Sequence, residues 1–282
     1  MPFANISLGG ERLAAVLDRL GVEEGAVVFL HTSYSRSLEF AESPQKLIDG
    51  LLLRLGPAGT LAMPRYAWHL DSTVRPWKGY ADYLLRLPTM NLNSTPANIG
   101  IVPETFRGME GVECSISHFW PLSARGRFAA EILQGQEGIT HAFGPDSSFA
   151  RLLKMDAKVL GLGVTLNTSS LAPVTDWCLG VERPHDIFTS SPITGLVVGR
   201  DGREYRPSVT TMRAESVRDI KPSRILQGSL RPGVDFPFVE QNGNFFFCYR
   251  SSLYHEAAMH EGLAALDRGG HVPWMAQPAV EE

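Results

Sequence analysis

Between His141 and Asp176 the apolar and polar positions change period twice. Phe149, Leu152 and Leu153 recur at helical spacing behind Ser147 and Ser148, where an N-cap belongs, and Lys154 closes the turn. The run Lys158-Val159-Leu160-Gly161-Leu162-Gly163-Val164 is apolar without alternation, as a strand covered on both faces would be. Gly161 and Gly163 leave room for something to approach its backbone closely. The polar segment 165–170 then leaves the strand's carboxyl end, where open α/β sheets place their ligands. Ser169 or Ser170 is expected to cap a helix carrying Asp176. An ordinary helix–strand–helix layer has the same pattern, so this stretch alone argues for architecture more than for a site.

The remaining periodicities extend the picture. Leu13, Val16, Leu17 and Leu20 stripe a helix from Leu8 to Leu20, closed by Gly21. Val27-Val28-Phe29-Leu30 reads as a buried strand that runs into His31-Thr32-Ser33-Tyr34-Ser35. Ser43-Pro44 opens a helix through Leu55, stopped by Gly56-Pro57, and Thr60 to Met63 forms a second strand ended by Pro64. Arg65 to Asn93 is rich in aromatic and polar side chains without a sustained period. It is expected to be a long functional loop with a short helix near Tyr80 to Leu87. Thr95-Pro96 opens a helix Ala97 to Arg107, and Val112 to Ser117 is a strand. His118 to Ser123 is a turn whose last residue caps a helix Ala124 to Leu133. Two hairpins follow, Gly195 to Arg206 about Asp201-Gly202 and Phe236 to Tyr249 about Asn242-Gly243, then a terminal helix Ser251 to Leu266. The expected class is α/β: a central, largely parallel or mixed sheet sandwiched by helices, with antiparallel hairpins in the C-terminal third. One domain over 1–282 is expected, with residues 1–194 as α/β core and 195–282 packed on it.

Composition narrows the function classes. The 282 residues are 44% hydrophobic and 20% charged, as in soluble globular proteins, with a net charge of -4. That balance offers no basic field, so neither nucleic acid nor an anionic membrane is expected as a partner. No apolar run reaches membrane-span length, and residues 1–17 lack a signal-peptide pattern, so the cytoplasm is the expected compartment. The three cysteines, Cys114, Cys178 and Cys248, share no CxxC spacing, and neither a disulfide framework nor a metal site is expected. Hydroxyls and free backbone N–H groups directly after a buried strand can hold a pyrophosphate, although a plain solvated turn fits His31 to Ser35 equally well.

Several of these signals fall together in a familiar order. They are Leu20-Gly21-Val22 with Val28 to Ser33, Gly59-Thr60-Leu61 with Met63-Pro64, Thr95-Pro96, Gly100, Pro103-Glu104 and Phe106-Arg107. Ser115, His118, Pro121, Ser123, Gly126, Phe143-Gly144, Ser147, Phe149 and Leu160 to Val164 continue the series. On these residues the chain resembles the aminoglycoside 3-N-acetyltransferase family, which transfers an acyl group from a coenzyme A thioester to an amine. The resemblance implies acetyl-CoA or another acyl-CoA as co-substrate, laid across the carboxyl ends of the strands. The cofactor-binding set it implies is His31, Thr32, Ser33, Ser35, Met63, Thr95 and Ser123. The acceptor would be a small-molecule amine, an amino sugar or a biosynthetic intermediate, and a homodimer is left open.

The chain also departs from the family pattern. Members usually carry a histidine, and a glutamate three residues later, on the helix after the glycine-containing strand. Here Pro173 stands at the histidine and Asp176 at the glutamate; a shift of one or two residues puts Thr175 opposite the histidine instead. In the Arg-Ser-x-His-Pro motif, Cys114 replaces the arginine and Phe119-Trp120 separate His118 from Pro121. Acyl transfer needs a deprotonated nucleophile and a stabilised oxyanion. Asp176, His118 and His185 are therefore the catalytic candidates, with a satisfied structural imidazole as the bland alternative for each histidine. Three functions are compatible with these residues: a coenzyme A-dependent N-acyltransferase, a non-catalytic binding homologue, and a thioester hydrolase or O-acyltransferase in the same cleft.

Overall fold

In a computed structural model that describes residues 13–37, 41–68, 76–182, 187–270 and 272–273, side-chain alternation along Val27–Thr32 sets the layers. Val28 and Leu30 face a layer made by the helices Leu13–Arg19, Pro44–Leu55 and Ile101–Arg107. Phe29 turns the other way, towards the helices Ser148–Lys154, Ala172–Glu182 and Ser251–Asp267, and the His31 ring meets it edge-on at 4.8 Å. The sheet is thus sandwiched by helices, and its three parallel strands bury both faces.

Seven strands make the main sheet, in the spatial order Phe238–Gln241, Asn244–Arg250, Lys158–Leu162, Val27–Thr32, Thr60–Pro64, Leu122–Gly126 and Glu113–Cys114. The central three run parallel, with His31 beside Gly161 and Thr32 beside Leu162. The flanking strands are antiparallel. The α/β class and mixed sheet expected from the sequence are therefore found, and Lys158–Leu162 lies in the interior of the sheet. The C-terminal hairpin turns at Asn242 and Gly243, both at positive φ (52° and 72°), and adds its strands to this same sheet. The hairpin about Asp201-Gly202 instead joins Met90–Asn91 in a separate small sheet.

The two glycines of the central strand face their own chain. A Cβ at Gly161 would overlap the buried Phe247 ring of the next strand. Gly163 has φ +69°, and a Cβ there would come within 2.7 Å of Arg36 Cβ. The close approach anticipated from the sequence is thus made by Phe247 and by the turn after the first strand.

Local expectations fail where pairing is non-local. Ser123 is no helix cap: it lies in the strand Leu122–Gly126, opposite Met63, and the helix starts later, at Ala129. The strand expected over Val112 to Ser117 shrinks to the edge pair Glu113–Cys114. The helix expected from Ala97 begins at Ile101 behind Gly100, because Ala97 N–H is taken by the Glu104 carboxylate at 2.7 Å. The helix carrying Asp176 begins at Ala172, with Leu171 rather than Ser169 or Ser170 at the position before it. Among the described residues no helix is long and apolar enough to cross a membrane.

Candidate active site

The carboxyl ends of the three parallel strands open on a cavity of about 500 Å³. Its floor is built by Leu30, His31 and Thr32 of the first strand, Pro64 of the second, and the loop after the third, through Thr165 and Asn167 to Ser170. Such crevices are where open α/β sheets bind ligands, since helices cover the faces and loops leave the strand ends accessible.

The hydroxyl-rich turn is held by the central strand. Ser33 N–H donates to Leu162 O at 3.0 Å, and buried Ser37 donates to Ser33 O at 3.0 Å and to Leu162 O at 3.2 Å. This fixes one turn of tight helix, Tyr34–Arg36, that leaves Ser35 and Arg36 exposed. Ser33 and Ser35 hydroxyls lie 3.4 Å apart. The Thr32 hydroxyl is buried with no protein partner within hydrogen-bond range. Arg36, a cation beside these hydroxyls, was not singled out from the sequence, although it directly follows Ser35.

His31 belongs to the strand rather than the turn. Only 4% exposed, it accepts a long hydrogen bond (3.4 Å) from Ser170 N–H at Nε2, which places the proton of the neutral ring on Nδ1. Burial pushes its pKa down to about 3, so the imidazole is uncharged at neutral pH. It is the pocket's histidine among the described residues.

An aromatic wall forms the side of the cavity. Tyr66 and Trp68 stack at 5.2 Å, and Trp120 meets Tyr66 edge-on at 5.0 Å and Trp68 at 5.7 Å. Trp120 Nε1–H is satisfied by Thr211 Oγ1 at 2.7 Å, and the Tyr80 hydroxyl lies 3.0 Å from the same oxygen. Trp68 Nε1 has no protein partner within hydrogen-bond range, while the Tyr66 hydroxyl interacts with the Ser170 side chain. The sequence had marked both regions, as an aromatic-rich loop after Arg65 and as the Phe119-Trp120 insertion, without showing that they converge. Met212, Val217, Ile220, Lys221 and Pro222 complete the lining, from a segment whose pattern carried no signal.

The other predicted residues lie apart from this cavity. His118 is buried at the far side of the aromatic cluster, where its Nε2–H donates to Pro88 O at 2.8 Å and Nδ1 faces Tyr83 Oη at 3.2 Å. Burial lowers its pKa, and the Gly195 backbone packs on the ring. Asp176 is fully buried, one turn beyond Pro173, which does line the pocket; its charge is felt by buried Tyr254 of the terminal helix. Met63 points into the opposite layer, Ser123 lies 3.4 Å from Cys114 Sγ, and Thr95 closes a turn with Asn91. His185 lies outside the described residues. Burial alone would raise the Glu104 pKa, but Arg107 at 2.5 Å and 2.6 Å holds it below its ordinary value.

The family model for aminoglycoside 3-N-acetyltransferase matches residues 29–222, more than half of the chain and both floor segments of the cavity. The chain belongs to that family. Aminoglycoside N(3)-acetyltransferase IX of Micromonospora chalcea is 30% identical over 203 residues, 69% of this chain and 70% of its own length. Aminoglycoside N(3)-acetyltransferase IV of a Salmonella species is 32% identical over 152 residues, so the match spans about half of each (54% of this chain and 52% of the relative). In fold, the crystal structure of aminoglycoside acetyltransferase AAC(3)-IVa as apoenzyme gives a TM-score of 0.67 at 22% identity, covering 98% of this chain and 96% of that one. The binary complex of AAC-IIIb with CoASH gives 0.66 at 18% identity, covering 94% and 97%.

Proposed function

We propose that this member of the aminoglycoside 3-N-acetyltransferase family is a coenzyme A-dependent N-acyltransferase, moving an acetyl group from acetyl-CoA to the amine of a small molecule. One observation carries the reading. The cavity at the strand ends is floored by Leu30, His31 and Thr32, directly before the hydroxyl turn, and by the 165–170 loop, within the stretch that matches the family model. AAC-IIIb, which shares the fold, is described in complex with CoASH, which supports coenzyme A as the co-substrate here.

In this reading Thr32, Ser33 and Ser35 offer hydroxyls to the cofactor's pyrophosphate, and Arg36 supplies the positive charge that a phosphate favours. The thioester then reaches into the cavity beside His31. The amine lone pair attacks the thioester carbonyl carbon, a C–N bond forms and the C–S bond breaks. The proton lost from nitrogen ends on the departing thiolate. His31 is neutral and presents Nδ1–H, so its part is to donate a hydrogen bond rather than to carry charge.

Calorimetry with coenzyme A and a thiol-release assay with acetyl-CoA test this. Changing Thr32→Val and Ser33→Val together is expected to weaken coenzyme A binding about tenfold, the order expected for lost hydrogen bonds to a charged group. Unaltered affinity would overturn the cofactor placement. Thiol release that proceeds equally with and without any amine would replace the acyltransferase by a hydrolase.

A further inference from the structure

We infer that Trp68 is a specificity-determining residue of the acceptor site: its indole N–H donates to a ring oxygen or hydroxyl of an acceptor lying on the aromatic wall, and so selects hydroxylated amines over plain ones. The inference rests on the acyltransferase reading and adds a residue through which the acceptor is chosen.

The polar atoms of the wall single Trp68 out. Four aromatic side chains with a polar atom meet at the side of the cavity: Tyr66, Trp68, Tyr80 and Trp120. The Tyr66 hydroxyl interacts with the Ser170 side chain, and Thr211 Oγ1 serves both Trp120 and Tyr80. Trp68 Nε1 alone of these four has no protein partner, although the residue lines the cavity and is only 5% exposed. A buried donor left unpaired is costly, and native folds rarely keep one. An indole N–H can only donate, so whatever completes it carries an acceptor atom.

The chemistry of the reaction narrows that atom. The reacting amine does not qualify, because its lone pair is directed at the thioester carbonyl, and an ammonium group has no lone pair at all. The thioester lies beside His31 in the reading above, and the Nδ1–H of that ring already offers it a donor. An oxygen on the body of the acceptor is left. The wall suits such a body. Tyr66 and Trp68 are parallel to within 8°, and Trp120 stands across both, so the cavity side is a broad aromatic surface with one open donor. A saturated ring lays its C–H face on that surface, and ammonium groups near the ring faces are attracted to them. A site built around a hydrogen bond also discriminates sharply, since an acceptor without the oxygen leaves the buried N–H unpaired.

The test uses kanamycin, which is rich in ring oxygens, and spermidine, a polyamine that has none, as acceptors with saturating acetyl-CoA, after calorimetry with coenzyme A. In the parent, kcat/KM for kanamycin should exceed that for spermidine by at least about tenfold. Trp68→Phe keeps an aromatic ring and removes the donor. The ratio of KM values, kanamycin over spermidine, should then rise about tenfold with no matching fall in kcat. A second measurement needs no variant. When kanamycin is added to the coenzyme A-saturated parent, one of the five indole N–H resonances should move downfield, and with spermidine none should. Spermidine turned over as well as kanamycin, an unchanged KM ratio in Trp68→Phe, a loss confined to kcat, or indole resonances that stay in place with kanamycin each overturn the inference. A parent that binds no coenzyme A refutes the acyltransferase reading first, and this inference falls with it.

Discussion

The folded protein keeps the His31 ring neutral down to a pKa of about 3, whereas the unfolded chain protonates it near the ordinary 6.5. Between those values the unfolded state binds a proton that the native state refuses, so stability falls as the pH drops. One such group changes the unfolding free energy by about 1.4 kcal/mol per pH unit in that window. Buried His118 and half-buried His141 are lowered too and act in the same direction. Urea unfolding of the parent at pH 7, 6, 5 and 4 should show a steep acid loss. His31→Gln should show a shallower one, by about 1.4 kcal/mol per unit below pH 6; parallel curves would mean that the ring titrates normally in the fold. The place of position 31 at a strand end was legible, because a histidine followed by hydroxyls at the end of a buried run stands out. Its strand-bound, uncharged state was not, since that depends on the Ser170 loop closing over it from more than a hundred residues away. For the same reason His118 drew attention it does not hold at the cavity: sequence shows an imidazole, but not that Pro88 and Tyr83 occupy both of its nitrogens.

At the level of elements, what could be read locally was read well. The Ser43 cap, which accepts from Lys46 N at 3.1 Å, the Ser147 cap and the hairpin at Asn242-Gly243 all follow from short-range chemistry. Leu122–Gly126 was missed because a serine ahead of an alanine mimics a helix start, while the strand exists only through its pairing with Thr60–Pro64. The central strand offers the sharpest test of this level. Gly161→Ala forces a methyl group into the buried Phe247 ring and should destabilise by about 1–3 kcal/mol, the cost of overpacking a tight core. Adding Phe247→Leu should recover part of that loss. A single variant as stable as the parent by chemical denaturation would mean that the ring moves freely, against its burial of 99% (1% exposed).

Over the whole molecule, the cavity draws on six stretches of the sequence: the first strand's end, the residues from Pro64 to Trp68, the loop after the third parallel strand, Ile99 with Pro103, Trp120, and residues 212–222. The first and third were legible as strand ends; the aromatic wall and the last segment were not, because topology alone brings them together. The C-terminal hairpin likewise belongs to the main sheet, not to an appendage. Truncation before Phe238 strips Asn244–Arg250 from Lys158–Leu162 and removes the Tyr254 and Ala258 contacts of the terminal helix. The shortened chain should lose cooperative unfolding and elute as aggregates in size-exclusion chromatography; a monomer with a sharp melting transition would show that the first 237 residues fold alone.

The antiparallel return of the C-terminal hairpin onto the middle of the sheet also orders events on the ribosome. Lys158–Leu162 can pair with Val27–Thr32 as soon as it emerges, but its other edge waits for Asn244–Arg250. At about 5–20 residues per second that interval lasts several seconds, during which an apolar strand offers unpaired backbone groups to any passing chain. In a nascent polypeptide an interior strand of the finished sheet is thus the last to be shielded on both edges, and the stretch most in need of a chaperone during synthesis is one that joins the two parts of the finished fold.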